Sequence, residues 1–131
     1  MAVDDGRVVS NFIVQALRNE DITIYGDGSQ TRSFCYVDDL ITGLLNLFFS
    51  NNYVGPINLG NPNPINMKDL AKEIIGLTES SSRIIYLPLP EDDPIERKPD
   101  INKAMLHLNW EPKIDRLAGL KETIQYFKQV I

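Results

Sequence analysis

The stretch "GDGSQTRSFCYVDDL", residues 26–40, concentrates groups that could hold an anionic ligand: Gly26, Gly28, Gln30, Arg32 and the pair Asp38–Asp39. Gly26 and Gly28 allow a backbone to come close to a ligand, and Arg32 offers a planar fork that fits a phosphate or paired hydroxyls. A second stretch, "RVVSN", carries Arg7, Val9, Ser10 and Asn11 at the entrance to a helix. Unpaired backbone N–H groups and the positive end of the helix dipole favour an anion there. A third, "DDPIERKPD", puts Arg97 between Pro94 and Pro99, which restrict the loop and lower the cost of ordering it around a ligand. Two separated arginines flanked by glycine or proline suit a diphosphate. Each stretch also has a purely structural reading: a solvated charge at Arg7, an ordinary turn at 26–28, and an Arg97 paired with Asp92, Asp93 or Glu96. The residue types alone leave both readings open.

Other reactive residue types point to structure. His107 is the only histidine and sits between Leu106 and Leu108, which fits a structural role and supplies no zinc set. Cys35 has no neighbouring base in sequence and reads as packing, not as a nucleophile. Asp38 and Asp39 open a helix, where carboxylates cap and complement the dipole. Trp110 in "LNWEP" anchors the turn between the last two helices, and Tyr25 and Tyr36 suit either base stacking or core packing.

The elements that must position these groups follow from periodicity. Val8, Val9, Phe12, Ile13, Ala16 and Leu17 share one face of a helix over 7–18. "ITIY" (22–25) predicts a strand that "GDG" ends. Leu40, Ile41, Leu44, Leu45 and Phe48 give a second helix over 38–49, with an apolar face wide enough to imply burial from more than one side. "PINLGNPNP" predicts a short strand and a loop held open by Pro62 and Pro64. Asn66 then caps a helix carrying Met67, Leu70, Ala71, Ile74 and Ile75. "RIIYLPLP" predicts a strand whose pairing ends at Pro88 and Pro90. Asp100 is expected to cap a helix over 101–108, and a last helix runs from about 116 to 130. Few short strands among five helices predict an α/β chain with a minimal sheet, an arrangement that calls for more protein beside it.

The 131 residues, 43% apolar and 24% charged, fit one globular domain of ordinary composition. A net charge of −5 argues against nucleic acid as a partner. No apolar run is long enough to span a membrane, and "MAVDDGRVVS" lacks the apolar core of a secretory signal. The single cysteine rules out an internal disulfide and favours a reducing compartment, so a cytoplasmic location is expected.

"DDGRVVSNFIVQAL", "IYGDGSQTRSFCYVDDLITGL", "INLGNP" and "DDPIERKPDINKAMLHLNWEPK", in this order, resemble the C-terminal half of extended short-chain dehydrogenases that act on nucleotide sugars. The resemblance is strongest to UDP-glucuronate decarboxylases (UDP-xylose synthases) and covers nearly the whole chain. The dTDP-glucose 4,6-dehydratases share "YGDG", a Gln-x-Arg and "YVDD" but typically differ around "RKPDI". The resemblance implies a Rossmann-type α/β fold in which residues 1–131 form the nucleotide-sugar-binding C-terminal portion. About 36–60 would then pack on an NAD-binding N-terminal half that is missing from this sequence. It also implies that Arg7 and Val9 to Asn11 (Val9, Ser10, Asn11) lie near the nucleotide and Tyr25 near the base. Gln30 and Arg32 would lie near ribose or phosphate, with Arg97 on the diphosphate.

In such enzymes C4 of UDP-glucuronate is oxidised to a ketone, the carboxylate β to it leaves as CO₂, and re-reduction gives UDP-xylose. NAD supplies the redox chemistry, held by a Gly-x-x-Gly-x-x-Gly turn and assisted by a Tyr-x-x-x-Lys pair. Glycines at 6, 26, 28, 43, 55, 60, 76 and 119 contain no such turn, and no tyrosine is followed four residues later by lysine. The resemblance therefore implies a UDP-sugar-binding portion that carries no catalytic residue, binds no cofactor of its own and is inactive alone. Two further readings are a portion of a dehydratase or epimerase with another base or sugar, and a non-enzymatic binding or assembly module. The apolar face of the helix 38–49 predicts self-association when nothing else covers it.

Overall fold

The computed structural model describes residues 1–50, 55–90 and 98–131. Its elements are α1 (Val8–Leu17), β1 (Ile22–Tyr25), β2 (Thr31–Ser33), α2 (Val37–Phe48), β3 (Pro64–Asn66), α3 (Met67–Thr78), β4 (Ile84–Leu87), α4 (Asn102–Leu108) and α5 (Arg116–Val130). The architecture is α/β, with five helices and short strands among the described residues. The chain divides into two compact units, one drawn from Met1–Thr31, Ile65–Ile95 and Leu120–Ile131, the other from Arg32–Pro64 and Glu96–Gly119.

In the first unit β1 and β4 pair in parallel, from Ile22 opposite Ile84 to Tyr25 opposite Leu87. Parallel strands need a long crossover, and α3 lies on it. The alternation in "ITIY" buries Ile22 and Ile24 while Tyr25 stays exposed, as a strand with one covered face requires. Phe12, Ile13 and Ala16 of α1, Leu70, Ala71 and Ile74 of α3, and Ile124 and Phe127 of α5 complete this core. Asn66 caps α3 as expected: its Oδ1 accepts from the Asp69 N–H at 2.8 Å, and its Nδ2 donates to Asp69 Oδ2 at 3.0 Å.

The second unit is built on Ile101, Ala104, Leu108 and Trp110, with Cys35, Leu47, Ile57 and Leu59 packed against them. Gly43 makes the close approach possible, since a Cβ there would stand 3.0 Å from both Leu59 and the Trp110 ring. Asp39 is buried and ties distant segments together. Its Oδ2 accepts from the N–H groups of Lys113 (3.0 Å) and Ile114 (2.8 Å), and its carbonyl accepts from Trp110 Nε1 (2.9 Å). Trp110 thus anchors the connection from α4 to α5, as its position in "LNWEP" predicted.

Three expectations need correction. Residues 56–60 form no strand; β3 lies at Pro64–Asn66 instead and pairs with β2, a strand that the polar triplet "TRS" gave no periodic signal for. Asp39 lies in the first turn of α2 but does not cap it, because the N-cap is Tyr36, without a side-chain cap bond, and the Asp39 carboxylate is used 74 and 75 residues away. α2 itself buries Asp39 and Gly43, while its broad apolar face is exposed. Ile101, not Asp100, is the N-cap of α4, although Asp100 Oδ1 accepts from the Asn102 N–H at 3.0 Å. No helix among the described residues is long and apolar enough to cross a membrane.

Candidate nucleotide-binding elements

The start of α1 lacks a side-chain cap. Arg7 is extended (φ −77°, ψ 156°), no side chain caps the helix, and its first turn contains no acidic residue. The Arg7 carbonyl accepts from the Asn11 N–H and from Ser10 Oγ, both at 2.9 Å. Ser10 is fully buried, so its hydroxyl serves the helix start and any contribution to a ligand would come from its backbone. Asn11 Nδ2 donates to the Gly6 carbonyl at 3.0 Å, and Val9 is half-buried. The Arg7 side chain is 79% exposed, with Nε 3.2 Å from Oδ1 of Asp5, whose side chain is only 19% exposed, so a ligand at this helix start would share Arg7 with that carboxylate.

The turn after β1 is rigid for a different reason. Gly26 and Gly28 have φ of +82° and +83°, a region that other residues enter at a cost. The Gly26 N–H donates to the Leu87 carbonyl at 2.7 Å. Asp27 Oδ1 accepts from the N–H and the hydroxyl of Ser29, and these bonds hold its carboxyl below the usual carboxylate range. Gln30 is buried, and its Nε2 donates to the Tyr25 carbonyl at 2.5 Å. The Gln30 amide donor therefore closes the turn, and Tyr25 is left 48% exposed at its edge.

This turn also seats α3. The N–H groups of Met67 and Lys68 donate to the carbonyls of Gln30 and Gly28, each at 3.2 Å. With Asp69 capped by Asn66, the first amides of α3 are occupied and that helix start is closed to a ligand. α1, with no side-chain cap and a neighbouring cation, differs from it. Lys68, against which a Cβ on Gly28 would press at 3.1 Å, was not singled out from sequence; nothing local in "INMKDL" signals a contact 40 residues away.

Arg7, Val9, Ser10, Asn11, Tyr25 and Gln30 all belong to the first unit, and Arg32 belongs to the second, half-buried on β2. Arg97 lies outside the described residues. The segment just after it is fixed from "INLGN": a Cβ on Gly60 would meet Pro99 at 2.9 Å, and Asn58 Nδ2 donates to the Asp100 carbonyl at 3.4 Å. Beside it, Asn63, Lys98, Asp100, Asn102 and Glu111 help line an open cleft of about 470 Å³.

Cys35 is half-buried, and burial, followed by the nearby Asp39 charge, pushes its thiol up, opposite to the shift a nucleophile needs. His107 is exposed near the end of α4. Among the described residues no His, Cys, Asp or Glu side chains group as a metal site. The chain's own residues do not fit NAD. A dinucleotide needs a glycine-rich turn that opens a helix, whereas Gly26 and Gly28 lie in a turn between β1 and β2 and Gly28 is closed over by Lys68.

Residues 2–60 match the family model described as the NAD dependent epimerase/dehydratase family. The chain is 50% identical over 129 residues to UDP-glucuronic acid decarboxylase 4 of Arabidopsis thaliana, a match covering 98% of this chain and 29% of that protein. It is 51% identical to UDP-glucuronic acid decarboxylase 1 of Danio rerio, over 98% of this chain and 31% of that one. Among solved structures, the UDP-glucuronic acid 4-epimerase of Bacillus cereus, in complex with UDP-glucuronic acid and NAD, superposes with a TM-score of 0.91 at 29% identity, covering 96% of this chain and 41% of the other. The UDP-glucose 4-epimerase of Thermotoga maritima, with UDP-glucose, gives 0.88 at 32% identity, over 95% and 40%. The chain thus spans under a third of these two decarboxylases. Sequence and fold together relate it to the NAD dependent epimerases/dehydratases, as a stretch similar to part of a UDP-glucuronic acid decarboxylase.

Proposed function

We propose that this chain is the UDP-sugar-binding portion of an NAD-dependent UDP-glucuronate decarboxylase that makes UDP-xylose. The observation that carries this reading is the 50% identity to UDP-glucuronic acid decarboxylases over 98% of the chain, against 29–32% for the two 4-epimerase structures. In this reading the uncapped start of α1 receives the nucleotide, through Arg7 and the backbone of Val9, Ser10 and Asn11. Tyr25 offers an exposed ring to the base, and Gln30 keeps the turn beneath it in shape. Arg32 contacts ribose or phosphate, and Arg97 holds the diphosphate.

NAD and the acid–base pair belong to an N-terminal half outside residues 1–131. About 36–60 pack on that half, a role suited to the exposed apolar face of α2. The chain by itself then binds substrate without turning it over. A cytoplasmic location accords with the single, half-buried thiol.

The test is a calorimetric titration with UDP and with dTDP, alongside an assay for CO₂ release from UDP-glucuronate. Binding of UDP in preference to dTDP, with no CO₂ released, supports the reading. A preference for dTDP favours a dehydratase portion, and turnover by the 131-residue chain refutes its catalytic incompleteness.

A further inference from the structure

Gln15, half-buried near the end of α1, turns its side chain to β1. Its Oε1 accepts from the Thr23 N–H and its Nε2 donates to Thr23 Oγ1, both at 3.2 Å, so both ends of the carboxamide are spent on one residue. The N–H groups of Ile22 and Gly26 point to the β4 side, donating to the carbonyls of Arg83 and Leu87 at 2.7 Å each. Successive amides of a strand face opposite edges. The Thr23 N–H therefore lies on the edge away from β4, where Gln15 takes the place of a neighbouring strand. On the same edge the Tyr25 carbonyl accepts from Gln30 Nε2.

The core that α1 and β1 share is otherwise apolar, with Phe12, Ile13, Ala16, Ile22 and Ile24 all buried. Apolar packing is non-directional, so it resists separation of helix and strand more than it resists sliding. The two bonds of Gln15 have a preferred length and direction and fix the slide. Arg7 lies about 12 Å away along the same helix axis, and Tyr25 ends the strand that carries Thr23. We infer that Gln15 is a positioning residue of the nucleotide site: its carboxamide sets the register of α1 against β1, and with it the spacing between the helix start at Arg7 to Asn11 and Tyr25. The ligand in this inference rests on the UDP-sugar reading; the tie between helix and strand does not. A site that presents two elements at once binds in proportion to the time they stand in register. A register held about a tenth of the time raises the apparent Kd about tenfold.

Three variants of the 131-residue chain test it. Gln15→Met keeps an unbranched side chain of similar helix propensity but offers no N–H and only a weak acceptor. Gln15→Glu is the rescue, because a carboxylate accepts from the Thr23 N–H and from the Thr23 hydroxyl, which rotates to donate. Thr23→Val removes the Oγ1 bond alone and carries the test if Gln15→Met does not fold. Each is titrated calorimetrically with UDP and with pyrophosphate, which has no base to reach Tyr25, while circular dichroism shows the chain folded. Gln15→Met should bind UDP about tenfold more weakly, Thr23→Val about threefold, and Gln15→Glu within about twofold of the unaltered chain. Pyrophosphate should be bound alike by all, a separation that a general loss of structure would not produce. Amide exchange at Thr23 should quicken in Gln15→Met and return to its original rate in Gln15→Glu. Variants that bind UDP as the unaltered chain does, a parallel loss of both ligands, or no rescue by glutamate overturn the role of Gln15 alone. An unaltered chain that binds no UDP overturns the UDP-sugar reading and this role with it.

Discussion

Replacing Asp39 by alanine takes away the acceptor of two backbone N–H groups, Lys113 at 3.0 Å and Ile114 at 2.8 Å. Hydrogen bonds to a charged group contribute about 1.5–3 kcal/mol each, and because both bonds are only part-buried water can take over some of that role. Part of the loss is also returned, because a buried carboxylate is no longer held away from water. A net loss of about 3 kcal/mol follows, against a total stability of about 5–15 kcal/mol for a domain. Asparagine keeps one oxygen where Oδ2 stands and should lose only about 1–2 kcal/mol, the difference between charged and neutral acceptors. The Trp110 Nε1 bond to the Asp39 carbonyl uses the backbone and survives both changes. Trp110 is the only tryptophan and belongs to the same unit as Asp39, so its fluorescence during urea unfolding reports the right region. With a slope of about 1.5 kcal/mol/M, the midpoint should fall by about 2 M for Asp39→Ala and by about 1 M for Asp39→Asn. An alanine variant within about 0.5 kcal/mol of the parent chain, the range of unconnected surface changes, would refute the reasoning.

Gly43→Ala gains about 1 kcal/mol of helix propensity but puts a methyl 3.0 Å from Leu59 and Trp110. Overpacking of this kind costs about 1–3 kcal/mol, so a net destabilisation and an altered Trp110 emission are expected. Asn66→Ala removes the acceptor for the Asp69 N–H and should destabilise α3 by about 1 kcal/mol, read as a lower thermal midpoint. The Asp27 carboxyl, lowered first by the Ser29 side chain and then by its backbone, should titrate below the ordinary aspartate range in a ¹³C NMR experiment. Its contribution to stability is therefore present above the unfolded-state value and lost as pH falls through the folded one. Ser29→Ala should move that titration upward while leaving the bond from the residue 29 N–H.

Sequence periodicity was enough for the elements whose apolar residues repeat over several turns or alternate cleanly. α1 and α5 fall within a residue or two of their expected spans, α3 begins just after its expected cap, and β1 and β4 lie where "ITIY" and "RIIYL" put them. β2 escaped because a three-residue strand has no period to read. "INLG" looked like a strand, but its Leu59 and Ile57 pack against the Trp110 cluster instead, so tertiary packing overrode β propensity. Asp39 was misread because helix-start aspartates usually act locally, whereas this one accepts bonds from residues 113 and 114. Of the candidate site residues, Arg7 and Tyr25 carry exposed side chains as a ligand contact requires. Ser10 and Gln30 turned out to spend theirs inside the protein, a distinction that depends on burial and leaves no trace in residue type.

The proposed function stands or falls on whether a UDP-sugar binds at the start of α1. The measurement that tests it most directly is an NMR titration of the 131-residue chain with UDP, following backbone amides. Saturable shifts centred on Arg7 to Asn11, Tyr25 and Arg32, and lost in Arg32→Ala, are the predicted result. A folded chain in which those amides stay still while others move, or in which none moves, would contradict it.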